Sequence, residues 1–405
     1  MGIAPFSSGE ELLDQVMKNQ ELRAHLVKDE SPLHYQLESK LDERRKQFKV
    51  LSTRFAIPGS KDFSSNDVLS LSSSGLLRKA WDAEMAKYPG IQIGSGGSRL
   101  LEGSHPYTEE LEQRIAHFHG AEGAMILNSG CEANVAIFTT LPAKDDVILH
   151  DELVHASIHD GMASSKCKNQ FRFAHNDLDD FTEKLLKIRE DFPSVKDCKN
   201  NLYISVEAIY SMDGDITPLT EMVQIAKEFY PRGNANFIVD EAHATGLLGH
   251  QGCGLVGMLG LHKEIAIRVH TFSKALASYG GMPSPYPSPV EICYTYSKRI
   301  VPKCVHILAD SSTKHRPLFT RSFSSQSILH FADHVSAPGV VLCSSTVRNY
   351  LVNFSRCFMY TAAPAFSTMA AIKCAYDLLE SDELVVVSCP LAHFVQMSKR
   401  YLAIC

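Results

Sequence analysis

The chain has 405 residues, 44% hydrophobic and 21% charged, with a formal net charge of -6. This composition excludes a disordered chain and leaves room for two or three domains around a large core. The charge is spread without a basic block, which excludes a nucleic-acid footprint, and no uninterrupted apolar run reaches the roughly 18 residues that span a bilayer.

The N-terminal MGIAPFSSGEELLDQ turns acidic before any apolar stretch, so no signal peptide is expected, and Phe6 stands where a myristoylation motif needs Ser or Thr. The 11 cysteines are odd in number, scattered and without a CxxC pair. They read as isolated thiols of a cytoplasmic protein rather than as disulfides or a metal site. From Glu10 to about Lys49, Glu, Lys, Leu and Gln recur at helical spacing and Ser31-Pro32 makes a helix start, so residues 1–60 are expected to form an N-terminal helical arm.

After Asp62, the polar FSSNDVLSLSSSG opens a stretch in which strand-length apolar runs alternate with helix-like segments such as TEELEQRIAHFHG. The runs are AMILN, DVILH, QFRFA, NLYISVEA, FIVDEAH and RVHTFS. Alternation of this kind predicts an α/β domain over 61–281 with a mostly parallel central sheet, and functional groups at the carboxyl ends of its strands.

The first such end is LNSGCEANVAIF, where the backbone N–H groups of Ser129, Gly130 and Cys131 at a helix start form an anion site, although many ordinary strand-to-helix turns look alike. In LHDELVHASIHDG, His155 follows a strand and reads either as a ring stacked on a cofactor face or as a loop histidine; four histidines lie between His150 and His175. VEAIYSMDGDITPL places Glu207, Ser211 and Asp213 in one polar turn, which by itself is simply a well-made loop.

Further on, FIVDEAHATGLLG ends a strand at Asp240, with His243 three residues later, and HTFSKALASYGG places Lys274 among small and hydroxylated residues just past the next strand. A lysine buried at a strand end loses solvation of its ammonium and becomes a nucleophile and base, while a carboxylate at Asp240 suits a protonated pyridine nitrogen. Each alone has a plainer reading, a surface lysine and a helix cap. Together they point to pyridoxal 5′-phosphate (PLP), with His243 suited to hydrogen-bonding the ring hydroxyl.

From Met282 to Gly339 the texture breaks into repeated Pro and Ser without a period, which reads as an irregular insertion. Regular pattern returns with VVLCSSTVRNYLVNF and the helix-like FSTMAAIKCAYDLLESDE, so 340–383 is assigned to the end of the large domain and a linking helix.

In this order, GSGGSRLLEGSHPYTEELE, SMDGDITPL, VDEAHATGLLG, TFSKAL and VVLCSSTVRNYLVNFSR resemble the α-oxoamine synthase family of fold type I PLP enzymes, from about Phe63 to Glu383. The resemblance implies an aspartate-aminotransferase-like fold and a homodimer with its site at the subunit interface. It also implies that Lys274 forms the Schiff base, Asp240 pairs with the pyridinium, and His155 stacks on the ring. His243 and Ser211 would meet the ring hydroxyl, Thr271 with the Ser129–Cys131 turn the phosphate, and Asn66 the substrate carboxylate, with Glu207 a further substrate candidate.

The implied reaction condenses an amino acid with an acyl-CoA, with loss of CO2 and CoA. The most similar branch is that of the 8-amino-7-oxononanoate synthases of biotin synthesis, which use L-alanine and pimeloyl-CoA. Relatives making 2-amino-3-ketobutyrate, 5-aminolevulinate or a sphingoid base share the motifs, and a plain aminotransferase shares the cofactor residues. A non-catalytic subunit would have no need of Lys274.

The chain departs from the family at three places. The family runs from the glycines after the lysine straight into the next strand, which here means Gly281 joined to Val340; residues 282–339 intervene, and their codons can hold an intron start at Gly281-Met282-Pro283, a branch point at Ala332-Asp333 and an intron end at Pro338-Gly339. A retained intron is expected, with a genuine insertion as the alternative. Residues 384–405 read as the remnant of an incomplete C-terminal domain, in which no substrate-binding arginine can be assigned, and Thr361-Ala362 stands where the family has two hydroxyl residues.

Overall fold

The computed structural model describes residues 9–29, 31–51, 65–278 and 338–381. The expected remnant 384–405 and the irregular stretch from 282 to 337 lie outside the described residues. The chain divides into two compact units, an N-terminal one that includes residues 9–51 and a larger one that includes 65–278 and 338–381.

In the N-terminal unit, helices run over Gly9–Lys18 and Pro32–Lys46. Ser31 caps the second by accepting from the His34 N–H at 3.1 Å, and Pro32 fills the first turn, where its missing N–H costs nothing. Asp42 on that helix accepts from the N–H groups of Arg23 and Ala24, both at 2.9 Å, which ties the intervening loop back onto the helix.

The larger unit is built on a seven-stranded sheet among the described residues. Its strands are β1 (Gly123–Leu127), β2 (Val147–Asp151), β3 (Gln170–Phe173), β4 (Leu202–Glu207), β5 (Ala235–Asp240), β6 (Ile265–Thr271) and β7 (Gly339–Cys343). The spatial order is β1-β7-β6-β5-β4-β2-β3. Strands β6, β5, β4, β2 and β3 pair in parallel, and β7 runs antiparallel to both β1 and β6. Gly339, read from the sequence as the last residue of the irregular stretch, is the first residue of β7, opposite Leu127 and Thr271.

The strands are mostly apolar because helices cover both faces. Val147, Leu149, Phe237 and Val239 face a cluster with Phe181, Leu185 and Met222, from helices Leu178–Asp191 and Leu219–Phe229. Ile148, Ile238, Ile267 and Val269 face Ala133, Ile137 and Ile158, from helices Gly130–Thr140 and Ala156–Ser164. A third cluster packs Leu69, Leu71 and Leu111 with Phe272 and with Met369 and Tyr376 of helix Phe366–Glu380. No helix of the described residues is long and apolar enough to cross a membrane.

Candidate active site

The parallel strands end along one edge, and polar residues begin where the apolar runs stop. β5 ends in Asp240, which is 6% exposed and stands beside Glu207, the last residue of β4. Asp240 Oδ1 accepts from the Ala242 N–H at 2.9 Å, and Oδ2 accepts from Asn134 Nδ2 at 2.8 Å. Both donors are neutral, and no ion pair reaches Asp240 among the described residues. A buried carboxylate held in this way is set up to receive a cationic hydrogen-bond donor.

Lys274 follows the end of β6 by three residues and is 9% exposed. Its loop turns back tightly: Ser278 N–H donates to Phe272 O at 2.7 Å, Ala277 N–H donates to Lys274 O at 3.0 Å, and Ala277 takes the left-handed φ of 45°. Phe272, Ala275 and Leu276 are buried and anchor the loop, which explains the apolar and small residues around the lysine. Thr271 ends β6, and its Oγ1 lies 3.4 Å from Ala242 O.

The turn Ser129–Cys131 leads from β1 into helix Gly130–Thr140. Ser129 is the cap, its Oγ accepting from the Glu132 N–H at 2.9 Å. Gly130 has no room for a side chain, because a Cβ there would fall inside contact distance of the Thr271 methyl. On the strand side, a Cβ on Gly339 would lie 2.8 Å from Gly130 Cα. The helix N-terminus, with its partial positive charge, thus sits against the ends of β6 and β7. Thr361 and Ala362 join this turn, through Thr361 Oγ1 to Glu132 at 3.1 Å and Asn128 Nδ2 to Ala362 O at 2.9 Å.

His155 caps helix Ala156–Ser164: Nδ1 accepts from the Ser157 N–H at 3.2 Å and lies 2.6 Å from Ser157 Oγ. Ser211 stands in the turn after β4, where its N–H donates to Glu207 Oε2 at 3.2 Å. That turn is closed by the Ile209–Ile216 bridge and fastened by His175, whose ring nitrogens lie 2.9 Å from Asp151 and 2.7 Å from Asp215. His243 follows the end of β5. Glu241, beside Asp240, is fully buried and accepts from the N–H groups of Leu255 and Val256, both at 2.8 Å; burial pushes its carboxyl up to about 7 against those bonds.

Ser129, Gly130, Cys131, His155, Glu207, Ser211, Asp240, His243, Thr271 and Lys274 therefore all belong to one edge of the sheet. Asn66 belongs to no strand and is not hydrogen-bonded to them by its side chain. Its segment reaches the site by packing: a Cβ on Gly246 would touch Leu69, Ala275 and Leu276 at 3.2–3.3 Å. Sequence reasoning missed Asn134, Ser157 and His175. Only the order NSGCEAN, with an amide one helical turn past the cap, hinted at the first of them.

A second feature lies beside the Ser129–Cys131 turn. Gly94–Ser98 and Leu101 line a cavity of about 630 Å³ with Met359, Tyr360, Ala362, Ala363 and Ala365. Ser98 bridges Ala362, and Arg99 is held below by Glu109 and the buried Glu112. Around the cavity Ile93, Leu101 and Tyr360 are 89%, 79% and 71% exposed.

The family model described as aminotransferase class I and II matches residues 61–297. The aminoacyl transferase sphA of Byssochlamys spectabilis is 38% identical over 94% of this chain and 69% of its own length. The 8-amino-7-oxononanoate synthase of Emericella nidulans is 36% identical over 83% of this chain and 68% of its own length. The chain thus spans about two thirds of the length of these relatives. Among solved structures, serine palmitoyltransferase from Sphingomonas wittichii superposes with a TM-score of 0.61 at 22% identity, covering 86% of this chain and 73% of that one, a likeness of fold.

Proposed function

Because the chain belongs to the aminotransferase class I and II family, among the α-oxoamine synthases of fold type I whose cofactor is PLP, we propose that it condenses an amino acid with an acyl-CoA to give an α-oxoamine, CoA and CO2. The observation that carries this reading is Asp240, a buried carboxylate with only neutral donors, one strand away from the loop of the buried Lys274. That pair fits a cofactor with a pyridinium nitrogen at one end of its ring and an aldehyde at the other.

PLP, when bound, supplies an electron sink for the substrate Cα. The chain's own groups do the rest. Lys274 would hold the cofactor through its amine and would serve as the base that takes the proton from the substrate Cα. Asp240 keeps the pyridine nitrogen protonated, and His155 covers the ring. His243 and Ser211 serve the ring hydroxyl, Thr271 and the Ser129–Cys131 turn the phosphate, and Asn66 and Glu207 the amino-acid substrate. The apolar rim of Ile93, Leu101 and Tyr360 suits contact with a second copy, so the working form is read as a homodimer.

L-Alanine with pimeloyl-CoA is the pair supported by likeness to 8-amino-7-oxononanoate synthases. A different pair is favoured by another observation, since the sphA relatives match more of this chain, 94% against 83%. The test is release of CoA thiol from a panel of acyl-CoAs with alanine, serine or glycine, by PLP-loaded protein and by Lys274→Ala. Release that needs both substrates and Lys274 supports the reading. Amino-group exchange with a 2-oxo acid and no CoA release would make the chain a plain aminotransferase.

A further inference from the structure

Asp240 and His155 stand on different elements, yet one buried residue touches the hydrogen-bond chain of each. Asn134 on helix Gly130–Thr140 is 1% exposed and Ser157 on helix Ala156–Ser164 is 2% exposed. Asn134 Nδ2 donates to Asp240 Oδ2 at 2.8 Å and to Ser157 Oγ at 3.0 Å, and Ser157 Oγ lies 2.6 Å from His155 Nδ1.

The donors in this chain can be ordered. The Ser157 backbone N–H points at His155 Nδ1 at 3.2 Å, so Nδ1 is the accepting nitrogen of the ring. Ser157 Oγ already accepts from the Asn134 amide, which leaves its own O–H to donate to the same Nδ1. The ring proton of neutral His155 then sits on Nε2. The amide of Asn134 is oriented in turn by Asp240. Flipped, it would press its Oδ1 against an ionised carboxylate and lose both bonds. Among the described residues Asn134 Oδ1 itself has no hydrogen-bond partner, so none of them holds the amide this way round by that oxygen.

We propose that Asn134 is a positioning residue that couples the charge on Asp240 to the tautomer and orientation of His155. An ionised Asp240 turns both amide hydrogens of Asn134 outward to acceptors, the amide turns the Ser157 hydroxyl toward the ring, and the hydroxyl keeps Nδ1 unprotonated. The face of His155 is thereby fixed by the same carboxylate that takes the pyridinium. The assignment of cofactor roles rests on the function proposed above; the coupling does not, because every bond in it lies within the protein.

The test is made on two levels with Asn134→Ala and Ser157→Ala. In cofactor-free full-length protein labelled with 15N-histidine, with His155 identified by its loss in His155→Gln, the wild type shows His155 in the Nε2–H tautomer. Both variants shift it to a mixture. For PLP, measured by its visible absorption, Asn134→Ala binds about tenfold more weakly because Asp240 loses its orienting donor, whereas Ser157→Ala stays within twofold. An unchanged His155 tautomer in well-folded Asn134→Ala, checked by circular dichroism and melting, overturns the coupling. If Asn134→Ala does not fold, Ser157→Ala decides by the same tautomer readout. Wild-type protein that binds no PLP would sink the cofactor reading and leave the tautomer result standing.

Discussion

His119 and His270 lie ring against ring in the interior, with centroids 4.1 Å apart. His119 Nδ1 meets Cys253 O at 3.1 Å and Nε2 meets the Tyr376 hydroxyl at 2.9 Å, while His270 Nδ1 meets Thr245 Oγ1 at 2.9 Å. Burial, then the nearby Arg268, pulls His119 down to about 3; burial, then His119 and Arg268, holds His270 well below the usual imidazole range.

Acid stability follows from this pair. Both histidines take up a proton near pH 6.5 in the unfolded chain and not in the folded one, so stability falls as the pH drops below about 6.5. Each removes ~1.4 kcal/mol per pH unit once the unfolded form is fully protonated, and the two together remove about 2.4 kcal/mol between pH 6 and 5. Urea unfolding at a series of pH values checks this, and His270→Phe is expected to remove roughly half of that slope. An unaltered slope would mean the pair does not stay neutral.

His175 gives the opposite dependence. Burial works against its charge, but the hydrogen bonds and charges of Asp151 and Asp215 outweigh it and raise its pKa. The stability it contributes is complete below about pH 6.5 and is lost as the pH rises through the raised value. His175→Leu leaves the fully buried Asp151 without its cation, at a cost of ~3 kcal/mol, and leaves Asp215 of the Ser211 turn held by Asn176 without the histidine. Expected are a lower melting temperature at pH 6 and earlier proteolysis within 209–216, with the gap to wild type closing at high pH.

Gly130 is expected to tolerate no side chain. Gly130→Ala sets a Cβ against the Thr271 methyl and should weaken PLP binding at least tenfold by displacing the helix start. Thr271→Ser removes that methyl and keeps the hydroxyl. The double variant should regain most of the affinity, and failure to regain it would mean that Gly130 serves something other than clearance from Thr271.

The stretch 282–339 can be tested at its two ends. Phe272 holds both: its O accepts from the Ser278 N–H at 2.7 Å, and its N–H donates to Pro338 O at 3.1 Å. The position before Val340 needs a glycine because of Gly130, and joining Gly281 to Val340 supplies one. Deleting 282–339 should keep the fold and raise stability by roughly 2–3 kcal/mol through a shorter closure. Melting of the deleted and full chains decides this, and transcripts read across the junction decide whether an intron is responsible; a deletion that will not fold counts against both.

What was legible in the sequence follows how local each signal is. Asp240 and Lys274 were visible because an apolar run stops at one and a strand ends just before the other. Asn134 and Ser157 were not, because a buried Asn and a helical Ser carry no pattern and gain meaning only when β5 brings Asp240 to them from 106 residues away in the chain. His175 was one of four similar histidines, and only tertiary contact with Asp215 singles it out. The strand runs were readable, but alternation carries no direction, so the reversed course of β7 was hidden.

That reversed strand bears on how the molecule is assembled. β1, which leads into the Ser129–Cys131 turn, and β6, which leads to the lysine, are not neighbours; β7 lies between them and bonds to both. On a ribosome, every candidate residue from Asn66 to Lys274 emerges before the strand that unites them. A nascent chain stopped at 297 would have the complete set of side chains and an open seam through the middle of the sheet. The site is therefore finished by residues 339–343, which contribute no chemistry to it and arrive after all of its chemistry has been made.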